Sequence, residues 1–196
     1  MIIWINGAFG AGKTTCAYEL DRRLENSFVY DPENIGGFIR KNIPKKLHKS
    51  DFQNHKQWRL FNYEMLKYLA DEYNGIILVP MTLVNRKYYD EIIGKLINEG
   101  IKLNHFILYA DKKTIEKRLK KRFEMNNSWA KLQIDRCIDA FNDEIIEEKI
   151  ITDNKTIDEI VEEIARKNGL TLTYDRRTSV EKWIDRVIIL LKHIRR

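Results

Sequence analysis

Eight consecutive residues, Gly7-Ala8-Phe9-Gly10-Ala11-Gly12-Lys13-Thr14, satisfy the spacing G-x-x-x-x-G-K-[ST] at every fixed position. Glycines let a backbone curl until its N–H groups point inward at phosphate oxygens. A helix opening at the end of such a loop turns its positive terminus on the same anion. The lysine then serves the β- and γ-phosphates, and the hydroxyl serves Mg²⁺. Gly7, Ala8, Phe9, Gly10, Ala11 and Gly12 with Lys13, Thr14 and Thr15 are therefore the expected ATP site. Thr14 is the expected metal ligand.

Phosphoryl transfer also needs a base and a clamp for developing charge. Asp31 closes the run Ser27–Tyr30, and in an open α/β sheet ligands sit outside the carboxyl ends of the strands. Asp31 is thus the first candidate to accept a proton from an attacking hydroxyl, with Glu33 as the alternative or as a substrate contact; the plainer reading of Asp31-Pro32 is a turn start. Arg118 and Arg122 lie four apart on one helix face and are candidates to clamp the transferring group, against the reading of a merely basic surface. The segment Asp51–Arg59 is rich in large polar and aromatic groups. From it Gln53, Trp58 and Arg59 are expected at an acceptor pocket, although core packing is the commoner job of a tryptophan. Thr82 follows the third apolar run, where motor ATPases carry an acid, and is a water-mediated metal or substrate contact. The missing acid argues against a motor, and the missing N-K-x-D after the fourth strand argues against a GTPase.

Four histidines show no partner spacing, and Cys16 and Cys137 fit neither a metal set nor a disulfide framework, so a reducing cytoplasm suits them. The 196 residues are 43% hydrophobic and 33% charged, carry a net charge of +6 and suit one domain. Basic residues cluster at Lys45, Lys46 and Lys49, and again from Lys117 to Arg122. Neither cluster matches a nucleic-acid module, so phosphate-bearing small molecules are the expected anions and no nucleic-acid partner is expected.

Buried strands are expected at 2–6, 27–30, 75–82, 105–109 and 150–152. Helices are expected at 13–25, in parts of 36–73 with a strong run from Phe52, and at 88–99, 113–122, 132–148 and 156–168. That alternation predicts an α/β fold of the P-loop NTPase kind, a five-stranded parallel sheet with helices on both faces. Residues 1–170 form the expected kinase-like domain with a short lid at about 120–131; residues 171–196 are a helical extension packed on it. In that tail Val180, Trp183, Ile184, Val187, Ile188, Leu190, Leu191 and Ile194 share one face, and Ile189 is the lone apolar residue opposite. The face either completes the core or lies in a membrane surface, with Lys192, Arg195 and Arg196 toward anionic lipid.

With these residues in view the chain resembles the bacterial tunicamycin-resistance ATP-binding proteins, within the wider group of P-loop antibiotic and nucleoside kinases. Ile2–Gly10, Val29-Tyr30-Asp31-Pro32-Glu33, Asp51-Phe52-Gln53, Trp58-Arg59 and Val79-Pro80-Met81-Thr82 carry the resemblance. Asn127-Ser128-Trp129-Ala130, Gln133–Cys137, Thr152-Asp153-Asn154 and the C-terminal His193-Ile194-Arg195 extend it. It implies protection against tunicamycin, a uracil nucleoside with amino sugars and a fatty acyl chain, and Asp31 as the base. The expected protein is an ATP- and Mg²⁺-dependent phosphotransferase that takes this nucleoside antibiotic as its small-molecule substrate, cytoplasmic with the tail as a peripheral membrane contact. The rival is an ATP-binding protein that sequesters the drug without transfer.

Overall fold

Every residue of β1 (Ile2–Gly7) is buried, Ile2 and Trp4 in one core and Ile3 and Ile5 in another. Such a strand requires paired neighbours on both sides and helices on both faces. The computed structural model, which describes residues 1–121 and 128–194, supplies both. Parallel pairing joins β1 to β3 (Ile76–Pro80) and β4 (Leu103–Tyr109). At the edges lie β2 (Ser27–Val29) and β5 (Glu148–Ile151), giving the order β2-β3-β1-β4-β5.

One face is covered by α1 (Lys13–Arg23) and α8 (Ile157–Lys167), which close over Ile3, Ile5 and Leu20. The other is covered by α3 (Lys56–Glu72) and α7 (Ser128–Asp143). Beside them α4 (Arg86–Tyr89) runs through a π-helical turn at Asp90–Gly94 into α5 (Lys95–Asn98). The remaining helices are α2 (Glu33–Asn42), α6 (Lys112–Lys121) and α9 (Ser179–Ile194). This is the expected P-loop fold.

Three of the boundaries that differ from the sequence expectation have a visible cause, a side chain capturing backbone in two and sheet pairing in the third. Asp31 Oδ1 accepts from the Glu33 amide at 3.0 Å, so α2 opens at Glu33 instead of Gly36. Asp51 Oδ1 accepts from the Gln53 amide at 2.8 Å, which makes a 3₁₀ turn of Phe52–Asn54 and delays α3 to Lys56. Glu148 pairs with Phe106 in the sheet, so the helix expected to reach Glu148 stops at Asp143.

The tail is turned the other way from the core-packing expectation. Ile189, the apolar residue on the polar side, is buried at 7% exposure, whereas Val180 and Trp183 are each 65% exposed and Ile184 and Ile188 each 44%. Charge holds the helix down. Arg177 and Arg186 both pair with Glu19, a carboxylate of α1 that is only 1% exposed, and Lys182 and Arg186 pair with Asp158 of α8. Burying Glu19 is tolerable because two guanidiniums meet it. Among the described residues no helix is long and apolar enough to cross a membrane.

Candidate active site

The phosphate loop leaves β1 where side chains leave no room. A Cβ on Gly7 would sit 2.7 Å from the Leu108 carbonyl oxygen, and Gly12, at φ 103, lies in the left-handed region that favours glycine. From Gly12 the helix α1 starts with no side-chain cap and no acid in its first turn. Its first amides and positive end are thereby left to an anion, which fits the phosphates of a nucleotide. Lys13 curls back on the loop, Nζ donating to the carbonyls of Gly7 at 3.0 Å and Ala8 at 3.1 Å and resting 5.5 Å from the Phe9 ring. Thr14 stands half-buried in the first turn of α1, and Thr15 is buried behind it.

Two contacts fasten this loop to the chain after β3. Thr82 Oγ1 donates to the Gly7 carbonyl at 2.8 Å. Asn6, fully buried, donates Nδ2–H to the Leu83 carbonyl at 2.7 Å, while its Oδ1 accepts from the amides of Leu83 and Gly7. Asn6 was not expected at the site, although a polar residue ending an otherwise apolar buried strand was a usable signal. Thr82 therefore acts first as a brace.

Asp31 is 7% exposed at the carboxyl end of β2, the same end of the parallel sheet at which the phosphate loop leaves β1. A chain of hydrogen bonds positions it. Trp58 Nε1 donates to the Pro32 carbonyl at 3.0 Å, Asn62 Nδ2 donates to the Trp58 carbonyl, and the Tyr30 hydroxyl donates to Asn62 Oδ1. Burial first, and then the Asp31 charge, push the Tyr30 phenol above its ordinary range, so Tyr30 stays a donor. Glu33 is half-buried at the start of α2.

The acceptor candidates distribute differently from expectation. Trp58 is fully buried against Phe52, so its ring is core and offers no stacking face. Arg59, 7% exposed, is spent inside the protein: it pairs with Glu91, donates to the Gln53 carbonyl at 2.6 Å and stacks over the Tyr88 ring at 4.3 Å. Gln53 is buried and donates Nε2–H to the Thr82 carbonyl at 2.8 Å, tying the acceptor segment to the loop after β3. All three side chains are engaged with groups of the protein itself.

Arg118 is engaged too, donating to Thr152 Oγ1 at 3.0 Å and to the Thr152 carbonyl at 2.6 Å, which fixes the exit of β5. Its fork is thus given to the hydroxyl and carbonyl of Thr152, where a phosphoryl clamp was expected. Arg122, the second expected clamp, lies outside the described residues, as does Asn127 of the expected lid tip. The buried thiol of Cys137 in α7 is pushed up to about 11 by burial, against the opposing charges of Lys13 and Arg136, which places α7 within the field of the phosphate-loop lysine.

The model of the adenylylsulphate kinase family matches residues 1–122. Among solved structures, the Deinococcus radiodurans tunicamycin resistance protein is 32% identical over 89% of this chain and 98% of its own, with a TM-score of 0.77. The Mycobacterium tuberculosis APS kinase in complex with AMPPNP and APS aligns at a TM-score of 0.59 and 16% identity, over 86% of this chain and 96% of its own. Shikimate kinase from Bacteroides thetaiotaomicron aligns at 0.56 and 17%, over 87% and 99%. At such identities the last two speak for the fold alone. Comparison with curated proteins returned no significant match. Through its phosphate loop, its 2-3-1-4-5 sheet and the family match over residues 1–122, the chain belongs to the adenylylsulphate kinase family of P-loop proteins, and it is similar over most of its length to the tunicamycin resistance protein.

Proposed function

We propose that the chain is a small-molecule kinase that transfers the γ-phosphoryl group of ATP to a hydroxyl of tunicamycin and so confers resistance to it. The observation that carries this reading is Asp31, a buried carboxylate held by the Tyr30–Asn62–Trp58 chain at the end of the parallel sheet from which the phosphate loop departs. Sequestration of the drug would need no such acid. The name of the Deinococcus relative supports the choice of drug.

ATP with Mg²⁺ would bring the phosphoryl group and part of the charge that offsets its oxygens. The chain's own work is positional. Lys13, now on the carbonyls of Gly7 and Ala8, would exchange them for phosphate oxygens, the amides of Gly10 to Thr15 would hold the same anion, and the Thr14 hydroxyl would be a ligand of the metal. Asp31 accepts the proton of the attacking hydroxyl, with Glu33 next to it as the alternative base. Arg122 supplies positive charge to the equatorial oxygens. Residues 1–170 act as the kinase unit and residues 171–196 as an extension docked on it. Stoichiometry tests this against sequestration: a kinase protects cells at far fewer protein copies than drug molecules. Protection that requires equal numbers contradicts transfer.

For the tail we propose a peripheral membrane contact, because α9 is docked by its charged face and presents Val180, Trp183, Ile184 and Ile188 outward. Removing residues 178–196 should then leave a folded protein that no longer sediments with anionic vesicles. Unchanged sedimentation sinks this contact.

A further inference from the structure

Between Arg40 and Lys56 the chain carries six lysines and arginines, Arg40, Lys41, Lys45, Lys46, Lys49 and Lys56, against the single carboxylate Asp51. That net of five positive charges sits in a chain whose total is +6. All six cations are exposed, and none makes an ion pair among the described residues. Asp51 is already spent on the Gln53 amide. Elsewhere some exposed cations are paired, as Lys67 is with Glu99 and Lys112 with Asp135.

Two of these cations, Arg40 and Lys49, meet two histidines at one place. Arg40, His48, Lys49 and His55 line a cavity of about 10 Å³ floored by Phe52, room for one oxygen-sized atom. Nε2 of His48 is buried there and meets no hydrogen-bond partner among the described residues. Burial, and then the charges of Lys49, His48 and Arg40, hold His55 below the ordinary histidine value. Like charges brought together around an orphaned nitrogen cost free energy unless an anion joins them. The arm is also rooted in the candidate active site at both ends, α2 starting from Asp31 and Gln53 bonding to the Thr82 carbonyl.

We propose that Arg40, His48, Lys49 and His55 form a second anion site, separate from the phosphate loop, that binds a phosphate or diphosphate group. One oxygen enters the cavity against His48 Nε2, and the guanidinium and ammonium groups take the others in charge-assisted hydrogen bonds. The group belongs to a separate phosphate-bearing effector, because the acceptor proposed above carries no phosphate.

The test uses the full chain saturated with ADP and Mg²⁺, so that the phosphate loop is filled, and pyrophosphate as the probe. The ring resonances of His48 and His55 should shift on titration while those of buried His105 stay fixed. Arg40→Glu/Lys49→Glu should weaken pyrophosphate about tenfold or more, through the loss of two charged contacts. Pyrophosphate should raise the melting temperature of the wild type and leave that of the double variant unchanged. Adding tunicamycin should leave pyrophosphate bound, and displacement of pyrophosphate by the drug would overturn an anion site separate from the acceptor's. Fixed His48 and His55 signals at millimolar pyrophosphate, or equal affinity in the double variant, overturn it. The outcome is independent of whether tunicamycin is phosphorylated.

Discussion

The indole Nε1 of Trp58 donates to the Pro32 carbonyl at 3.0 Å, so a residue in the first turn of α3 fixes the corner that presents Asp31. Trp58→Phe keeps most of the packing and removes that bond. It should cost about 1 kcal/mol of stability. Turnover should fall while ATP affinity holds, because the phosphate loop makes no contact with Trp58. Equal losses in both constants would mean that the corner does not act through Asp31.

Asp31→Asn should preserve ATP binding and the fold, since an amide can still accept from the Glu33 amide, and should lower transfer about 100-fold or more. Stopped-flow nucleotide binding and steady-state turnover separate the two effects. Transfer near the wild-type rate would shift the role of base to Glu33.

Arg59→Ala tests a structural assignment. The change leaves Glu91 with only Lys87, at 4.0 Å, and the Gln53 carbonyl without its donor. Stability should drop by about 2–3 kcal/mol, less than for a fully buried pair because Glu91 is partly exposed. Urea unfolding of Arg59→Ala, Glu91→Ala and the double variant should give a coupling of at least about 0.5 kcal/mol. A wild-type midpoint together with a raised acceptor KM would return Arg59 to the substrate.

His105 supplies a pH dependence. It is buried between Trp4 and Tyr89, neither ring nitrogen has a partner among the described residues, and burial pushes it down to about 3. Between the ordinary value of 6.5 and about 3 the unfolded chain binds a proton that the native chain refuses. The His105 contribution therefore leaves stability flat above that window and lowers it as pH falls through it, by up to about 1.4 kcal/mol per pH unit. His105→Phe should remove this slope. The difference between variant and wild-type unfolding free energies should widen from about pH 7 to about pH 5. A constant difference would show that His105 does not titrate in this way.

How far the sequence spoke can be judged residue by residue. The phosphate loop was legible because its spacing is tied to backbone geometry, and β1 because an unbroken apolar run admits few other fates. Asp31 was legible from strand order alone, its support from Tyr30, Asn62 and Trp58 was not, since those bonds join residues up to 32 positions apart. Arg59 and Arg118 look like substrate ligands in sequence because an arginine's type says nothing of whether its fork is already filled. The tail was periodic enough to place a helix and to divide its faces. Which face would turn inward depended on Glu19, a buried carboxylate that the pattern of α1 does not announce.

The central claim is transfer. The direct measurement is the mass of tunicamycin after incubation with ATP, Mg²⁺ and a small fraction of an equivalent of the protein, with Asp31→Asn in parallel. Addition of one phosphate group to most of the drug by the wild type, and to almost none by the variant, is the predicted result. Drug recovered unmodified while bound tightly to ATP-loaded protein would contradict it.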